Sequence, residues 1–138
     1  MEPAELRCLC ATSRMATRVL TRRYDEALRP YGLRTTQYSI LSRLAEEGPM
    51  TVGRLAGRLA TERTTLSREL GPLGRRGLVE VAAGEDSRRR VVTLTPTGRS
   101  ALDGARPAWT AVQADTREAL GDATADRLLA DLRTVAGL

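Results

Sequence analysis

The sequence predicts a mainly α protein carrying one small β-hairpin. Three observations lead there. Apolar residues recur at three- and four-residue spacing through most of the chain, the period of helices packed on one face. That period gives way to short β-branched or alternating runs only between Leu78 and Leu94, around a polar and charged tip. Proline and glycine punctuate the segments, at Pro30 and Gly32, Gly48-Pro49, Gly77 and Gly121.

The first helix is expected from Glu5 to Leu28, with Leu6, Leu9, Ala16, Val19, Leu20, Tyr24, Ala27 and Leu28 at helical spacing. A second covers Thr35 to Glu47, with Tyr38, Leu41, Leu44 and Ala45 on one face. Thr51 can cap a third running through Ala60, and Thr61 a fourth reaching Arg76. Leu66, Leu70 and Leu73 face inward on the fourth, and Gly77 closes it in a left-handed conformation. The hairpin pairs Leu78–Ala83 with Val91–Leu94. Thr95-Pro96 then opens a fifth helix as cap and first residue, and Pro107 inside it predicts a kink. A sixth follows Gly121 and turns Leu128, Leu129, Leu132 and Val135 inward.

One domain of 138 residues is expected, with a DNA-binding lobe at 35–95 flanked by helices at 5–31 and 96–138. The flanking helices carry more apolar surface than one small subunit can cover. They therefore predict a homodimer in which they cover each other. No segment has signal-peptide or membrane-spanning length, so a soluble cytoplasmic protein with no membrane partner is expected.

Composition excludes much chemistry. The chain has no histidine, which removes Ser-His-Asp and Cys-His catalysis and two-histidine metal sites. No Gly-rich phosphate loop or framed carboxylate pair is present, so the reading is not an enzyme, with no cofactor and no metal. All 22 basic residues are arginine against 17 acids, a net charge of +5. Between Val52 and Thr93 nine arginines face five acids, so most of the surplus lies in the central lobe. Guanidinium binds phosphate bidentately, and a polyanionic partner is the natural reading of that concentration.

Two short helices followed by a hairpin make a helix-turn-helix with a wing, a device for reading double-stranded DNA. With its leucines inward, the fourth helix turns out Arg63, Thr64, Thr65, Ser67 and Arg68. These are short hydroxyl donors and guanidiniums, suited to base edges and to phosphates. At the wing tip Arg88, Arg89 and Arg90 suit a narrow minor groove. Asp86 is either an ion-pair partner for Arg88 or simply a turn residue. An ordinary solvated helix and loop remain the plain alternative, and a winged-helix protein-interaction module without DNA binding is the competing function.

The segments Glu62-Arg-Thr-Thr-Leu-Ser-Arg-Glu-Leu70, Leu73-Gly-Arg-Arg-Gly-Leu-Val79, Asp86-Ser-Arg88 and Val92-Thr-Leu-Thr-Pro-Thr-Gly98 resemble the MarR family. So do Gly32-Leu33 and Gln37-Tyr38 upstream. The resemblance implies a winged-helix homodimer that binds a pseudo-palindromic operator and represses transcription. It implies Thr64, Thr65 and Arg68 in the major groove, Arg88 in the minor groove, and an effector pocket between dimer helices and DNA-binding lobe. Two positions depart from the family pattern. Arg34 replaces a threonine cap, which moves the expected cap to Thr35, and Gly71-Pro72 interrupts the fourth helix and is expected to bend its second half.

Within that family, Cys10, Tyr24 and Tyr38 resemble positions of the organic-hydroperoxide-sensing branch, where a tyrosine hydrogen-bonds a reactive thiolate. Arg14 stands where that branch has another tyrosine. Cys10 shares the inward stripe of the first helix with Leu6 while Cys8 turns away, so the two cannot pair without local unwinding. Oxidation sensing of an organic hydroperoxide, inert packing, and thiophilic binding all remain open for Cys8 and Cys10. For a small-molecule effector, Tyr24, Tyr38 and Trp109 are the candidate walls, with Trp109 also fitting a plain core position.

Overall fold

The computed structural model describes residues 1, 3–86 and 88–138. A 3₁₀ turn at Ala4–Arg7 leads into α1 (Leu9–Leu28), and a second at Arg29–Tyr31 leads to α2 (Thr35–Glu47). Then come β1 (Met50–Thr51), α3 (Val52–Arg58), α4 (Arg63–Arg75), β2 (Val79–Ala83) and β3 (Arg90–Leu94). Two long helices close the chain, α5 (Pro96–Leu120) and α6 (Asp122–Ala136). The expected class, mainly α with a small β wing, is what the chain adopts.

The core forms where the apolar stripes of α2, α3, α4 and α5 meet the sheet. Leu28, Leu41, Leu55, Leu73, Val92 and Leu102 are completely buried there. Each such leucine contributes about 1.5–3 kcal/mol on leaving water, which outweighs the weak helix propensity of α4, whose sequence includes Gly71, Pro72 and Gly74. Leu66, Leu70 and Leu73 are buried at the spacing the sequence indicates.

The wing has three strands, in the order β1-β3-β2, all antiparallel. β3 pairs Val79 with Leu94 on one side and Met50 with Val92 on the other. The two-residue β1 was not expected from the sequence. It ties the start of α3 to the wing through β3.

Several boundaries differ from expectation, each for a local reason. Cys8 is extended (φ −86°, ψ 116°), so the first helix is split into a 3₁₀ turn and α1 rather than running from Glu5. The N-terminus of α2 is capped from elsewhere instead of by Thr35. The Thr35 N–H donates to Asp25 Oδ1 (2.7 Å) on α1, and the Arg34 N–H to Gln37 Oε1 (3.0 Å). Thr51 does cap α3, accepting the Arg54 N–H at 3.2 Å, but α3 stops at Arg58 rather than Ala60. Glu62, not Thr61, precedes α4. As expected, α4 continues past Pro72 and α5 past Pro107.

Gly77 closes α4 with φ +71°, as expected. The Leu78 N–H reaches back to the Leu73 carbonyl and the Gly77 N–H to Gly74, the paired bonds of a left-handed stop. The Thr95 hydroxyl then donates to the Gly77 carbonyl (2.6 Å) and accepts the Gly98 N–H (2.9 Å). A single side chain thus pins the start of α5 to the end of α4.

Candidate nucleic-acid interface

Burial of the three leucines fixes the rotation of α4. Arg63, Thr64, Thr65, Ser67 and Arg68 are consequently all exposed. The residue before the helix, Glu62, makes no side-chain cap to the first-turn N–H groups. A helix end of this kind favours anionic oxygen.

The wing tip is built on Asp86. Its carboxylate accepts the Arg88 N–H (3.0 Å) and its carbonyl accepts the Arg89 N–H (2.8 Å). The Gly84 N–H donates across the turn to the Arg89 carbonyl at 2.7 Å. Asp86 acts as a turn residue, since among the described residues it forms no ion pair with Arg88. Ser87, part of the Asp86–Arg88 signature, lies outside the described residues.

These two elements face each other across a groove of about 400 Å³. Arg63 and Ser67 line one side, Arg88, Arg89 and Arg90 the other, and Thr51, Val52 and Gly53 the end. Among the described residues, none of these four arginines lies within 4.0 Å of a carboxylate, and neither does Arg68. Elsewhere arginines are committed: Arg43 and Arg58 both hold Glu47, and Arg117 holds Asp122 and Asp126. Thr64, Thr65 and Arg68 do not line this groove. Thr65 borders a different one with Thr36, Ser39 and Thr61. Two residues the sequence did not single out are Gly53 and Arg75, the latter bordering an adjoining groove with Ser67, Glu80 and Arg90. A glycine inside a seven-residue helix was the signal available for Gly53.

The candidate sensing residues do not converge. Tyr38 and Trp109 stack on each other in and beside the core, bordering a groove of about 190 Å³ with Ser42, Arg43 and Glu46. Tyr24 borders a separate apolar groove of about 560 Å³ formed by α1, α5 and α6. Its hydroxyl donates to Gln113 Oε1, not to a cysteine. Cys10 sits fourteen residues earlier on the same helix, about 21 Å along its axis, so the expected bond cannot form within one chain. Burial pushes the Tyr24 phenol above its ordinary value, opposed by the hydroxyl of Thr116. Tyr38 is also raised by burial, with Arg106 opposing.

Both cysteines are free and exposed. Cys10 therefore does not share a buried stripe with Leu6, which is itself 44% exposed, because the break at Cys8 cancels the helical phase between them. The larger apolar groove is open: Leu128 and Leu132 of α6 are 42% and 44% exposed.

A helix-turn-helix with a three-stranded basic wing, extended by long terminal helices, defines a class of transcriptional regulators. Residues 33–91 match the MarR family. The chain is 44% identical to the Mycobacterium tuberculosis transcriptional regulator MosR, solved in complex with DNA, with a TM-score of 0.83. That match covers 94% of this chain and 96% of MosR. CouR bound to a 23-mer DNA duplex is 26% identical, with a TM-score of 0.85 over 99% of this chain and 98% of that one. The HTH-type regulator YwoH of Bacillus subtilis is 35% identical over 80 residues, and this chain spans 58% of its length. The chain belongs to the MarR family of DNA-binding transcriptional regulators, which are not enzymes. No helix among its described residues is long and apolar enough to cross a membrane.

Proposed function

We propose that this chain is a cytoplasmic, homodimeric repressor that binds a pseudo-palindromic operator through α4 and the wing. The observation that carries the reading is the groove in which, among the described residues, Arg63 and Arg88–Arg90 stand without carboxylate partners. Uncommitted guanidiniums repel one another, and phosphate is the ligand that turns that repulsion into binding. Thr64, Thr65 and Arg68, just outside the groove, are the residues proposed to read base edges in the major groove. The lobe at 35–95 would carry this contact, and the helices at 5–31 and 96–138 would join the two protomers through the open apolar face. The likeness to MosR, solved with DNA, supports the same reading.

Release is proposed to follow cysteine oxidation by an organic hydroperoxide, or binding of a small molecule at the α1–α5 junction. Exposure of both thiols supports the first route, since an oxidant reaches them without unfolding. Cys10 lies in the first turn of α1, the helix whose Thr12, Met15 and Val19 border the apolar groove. Polar bulk added there disturbs the seat of a second protomer, and with it the spacing of about 34 Å between recognition helices.

Fluorescence anisotropy of the reduced protein on the DNA upstream of its own gene tests this, with a scrambled duplex as control. Specific binding that weakens steeply with salt is expected, because each neutralised phosphate releases counterions. Salt-insensitive or absent binding returns the chain to a protein-interaction module. An organic hydroperoxide added to the same cuvette should release the parent protein, whereas Cys10→Ser should bind and not respond. Release that persists in Cys10→Ser removes Cys10 from the sensing mechanism.

A further inference from the structure

Gly53 has an ordinary helical φ, so nothing in its backbone requires glycine. In a helix interior glycine weakens the segment relative to alanine. A β-carbon placed there would collide with the Arg63 guanidinium, its nearest contacts being Nη2, then Cζ and Nε at 2.9 Å. Arg63 therefore folds back over the first turns of α3, into the space that a side chain at 53 would take.

We propose that Gly53 is a positioning residue for DNA binding: its missing side chain holds the Arg63 guanidinium at the end of the groove shared with Arg88–Arg90. There it adds a fourth charge to the wing's three, aimed at one stretch of phosphodiester backbone. The inference rests on the DNA-binding reading and deepens it. The colliding atoms belong to the free end of a flexible side chain, so an alanine at 53 is accommodated by pushing Arg63 out of the groove, with the fold intact. Stability and DNA binding should then move in opposite directions.

The test compares parent, Gly53→Ala, Arg63→Ala and the double variant by anisotropy on the upstream duplex and the scrambled duplex across a salt series. Gly53→Ala should melt at the parent temperature or above it. It should bind both duplexes more weakly, by roughly tenfold per protomer at 0.1 M salt, with the logarithmic salt slope reduced by about one for each protomer. Arg63→Ala should show the same loss, and adding Gly53→Ala to it should cost nothing more. A Gly53→Ala protein that binds like the parent, or a loss that persists in the Arg63→Ala background, overturns the inference alone. A parent protein that binds neither duplex overturns the DNA-binding reading and the inference with it.

Discussion

Tyr38 and Trp109 stack with ring centroids 5.6 Å apart and planes only 8° from parallel. The pair joins α2, the first helix of the proposed DNA-binding lobe, to α5, the long helix that leaves it. Tyr38 is 4% exposed and makes its contacts at the edge of the core. Any rotation of the lobe relative to α5 has to shear this stack.

Trp109→Ala should destabilise the fold by about 3 kcal/mol, from lost burial plus the pair itself. Tyr38→Phe keeps the ring and should cost less than about 1.5 kcal/mol. Urea unfolding followed by far-UV circular dichroism separates the two, because Trp109 is the only tryptophan and its loss removes the fluorescence signal. Equal effects of the two substitutions would mean that the stack carries no stability.

Alkaline pH should weaken the same region. Burial raises the phenols of both Tyr24 and Tyr38 above their ordinary value, so the folded chain favours the neutral form. Their contribution is fully present below the unfolded value of about 10 and is lost as pH rises through the folded values. Urea midpoints measured from pH 8 to 11 should fall above about pH 10. The decline should be shallower in a Tyr24→Phe, Tyr38→Phe double variant, and an unchanged slope would remove the tyrosines as its source.

Ala60 is the one non-glycine among the described residues with positive φ, at +50°. It occupies the left-handed position after α3: the Thr61 N–H donates to the Ala56 carbonyl (3.0 Å) and the Ala60 N–H to Gly57 (3.2 Å). Gly77 fills the corresponding place after α4. Ala60→Gly should therefore stabilise the protein by about 1 kcal/mol, the strain relieved exceeding the added chain entropy. A higher melting temperature checks this, and a lower one would show that the turn is not strained.

The same alanine explains where sequence reading stopped working. Alanine is the best helix former, so nothing in Leu59-Ala60-Thr61 announces a stop, and the third helix was read two residues too long. Gly77 announces its own stop, and the end of α4 was legible to within one residue. Cys8 likewise breaks the first helix with no proline or glycine to mark it. β1 depends on β3 far along the chain, and the cap on Thr35 on Asp25 of the preceding helix, so neither follows from its own segment. The exposed face of α4 was legible because three leucines at helical spacing fix its rotation. Convergence of Arg63 on the wing was not, since the sequence does not reveal which way a long side chain folds.

Arg68 and Arg88 should divide the work of recognition. Arg68→Ala should weaken operator binding by about 1–3 kcal/mol and relax base preference, as expected of a group at base edges. Arg88→Ala, on the wing, should weaken binding while leaving the major-groove preference largely unchanged. Competition with single-base operator variants reads the difference. A variant that binds operator DNA like the parent removes its residue from the site.

The apolar face left open by one chain sets the final expectation. Leu128, Leu129 and Leu132 stand between 36% and 44% exposed around a groove that also includes Leu6, Val19 and Leu20. Arg117 on α5 holds Asp126 at 2.8 Å and Asp122 at 3.2 Å, which sets the angle at which α6 presents those leucines. A second protomer is the proposed occupant, since a pseudo-palindromic operator would need two recognition helices. Sedimentation should give twice the 15.0 kDa chain mass for the parent. Leu132→Arg should sediment as one chain with its helical signal intact, since a charge at that position adds nothing to strain within the protomer. Its operator affinity should fall by roughly a hundredfold or more, because each lobe then binds its half-site without the effective concentration supplied by the other. A Leu132→Arg protein that remains dimeric places the interface elsewhere, and one that is monomeric yet binds with parental affinity removes dimerisation from the recognition mechanism.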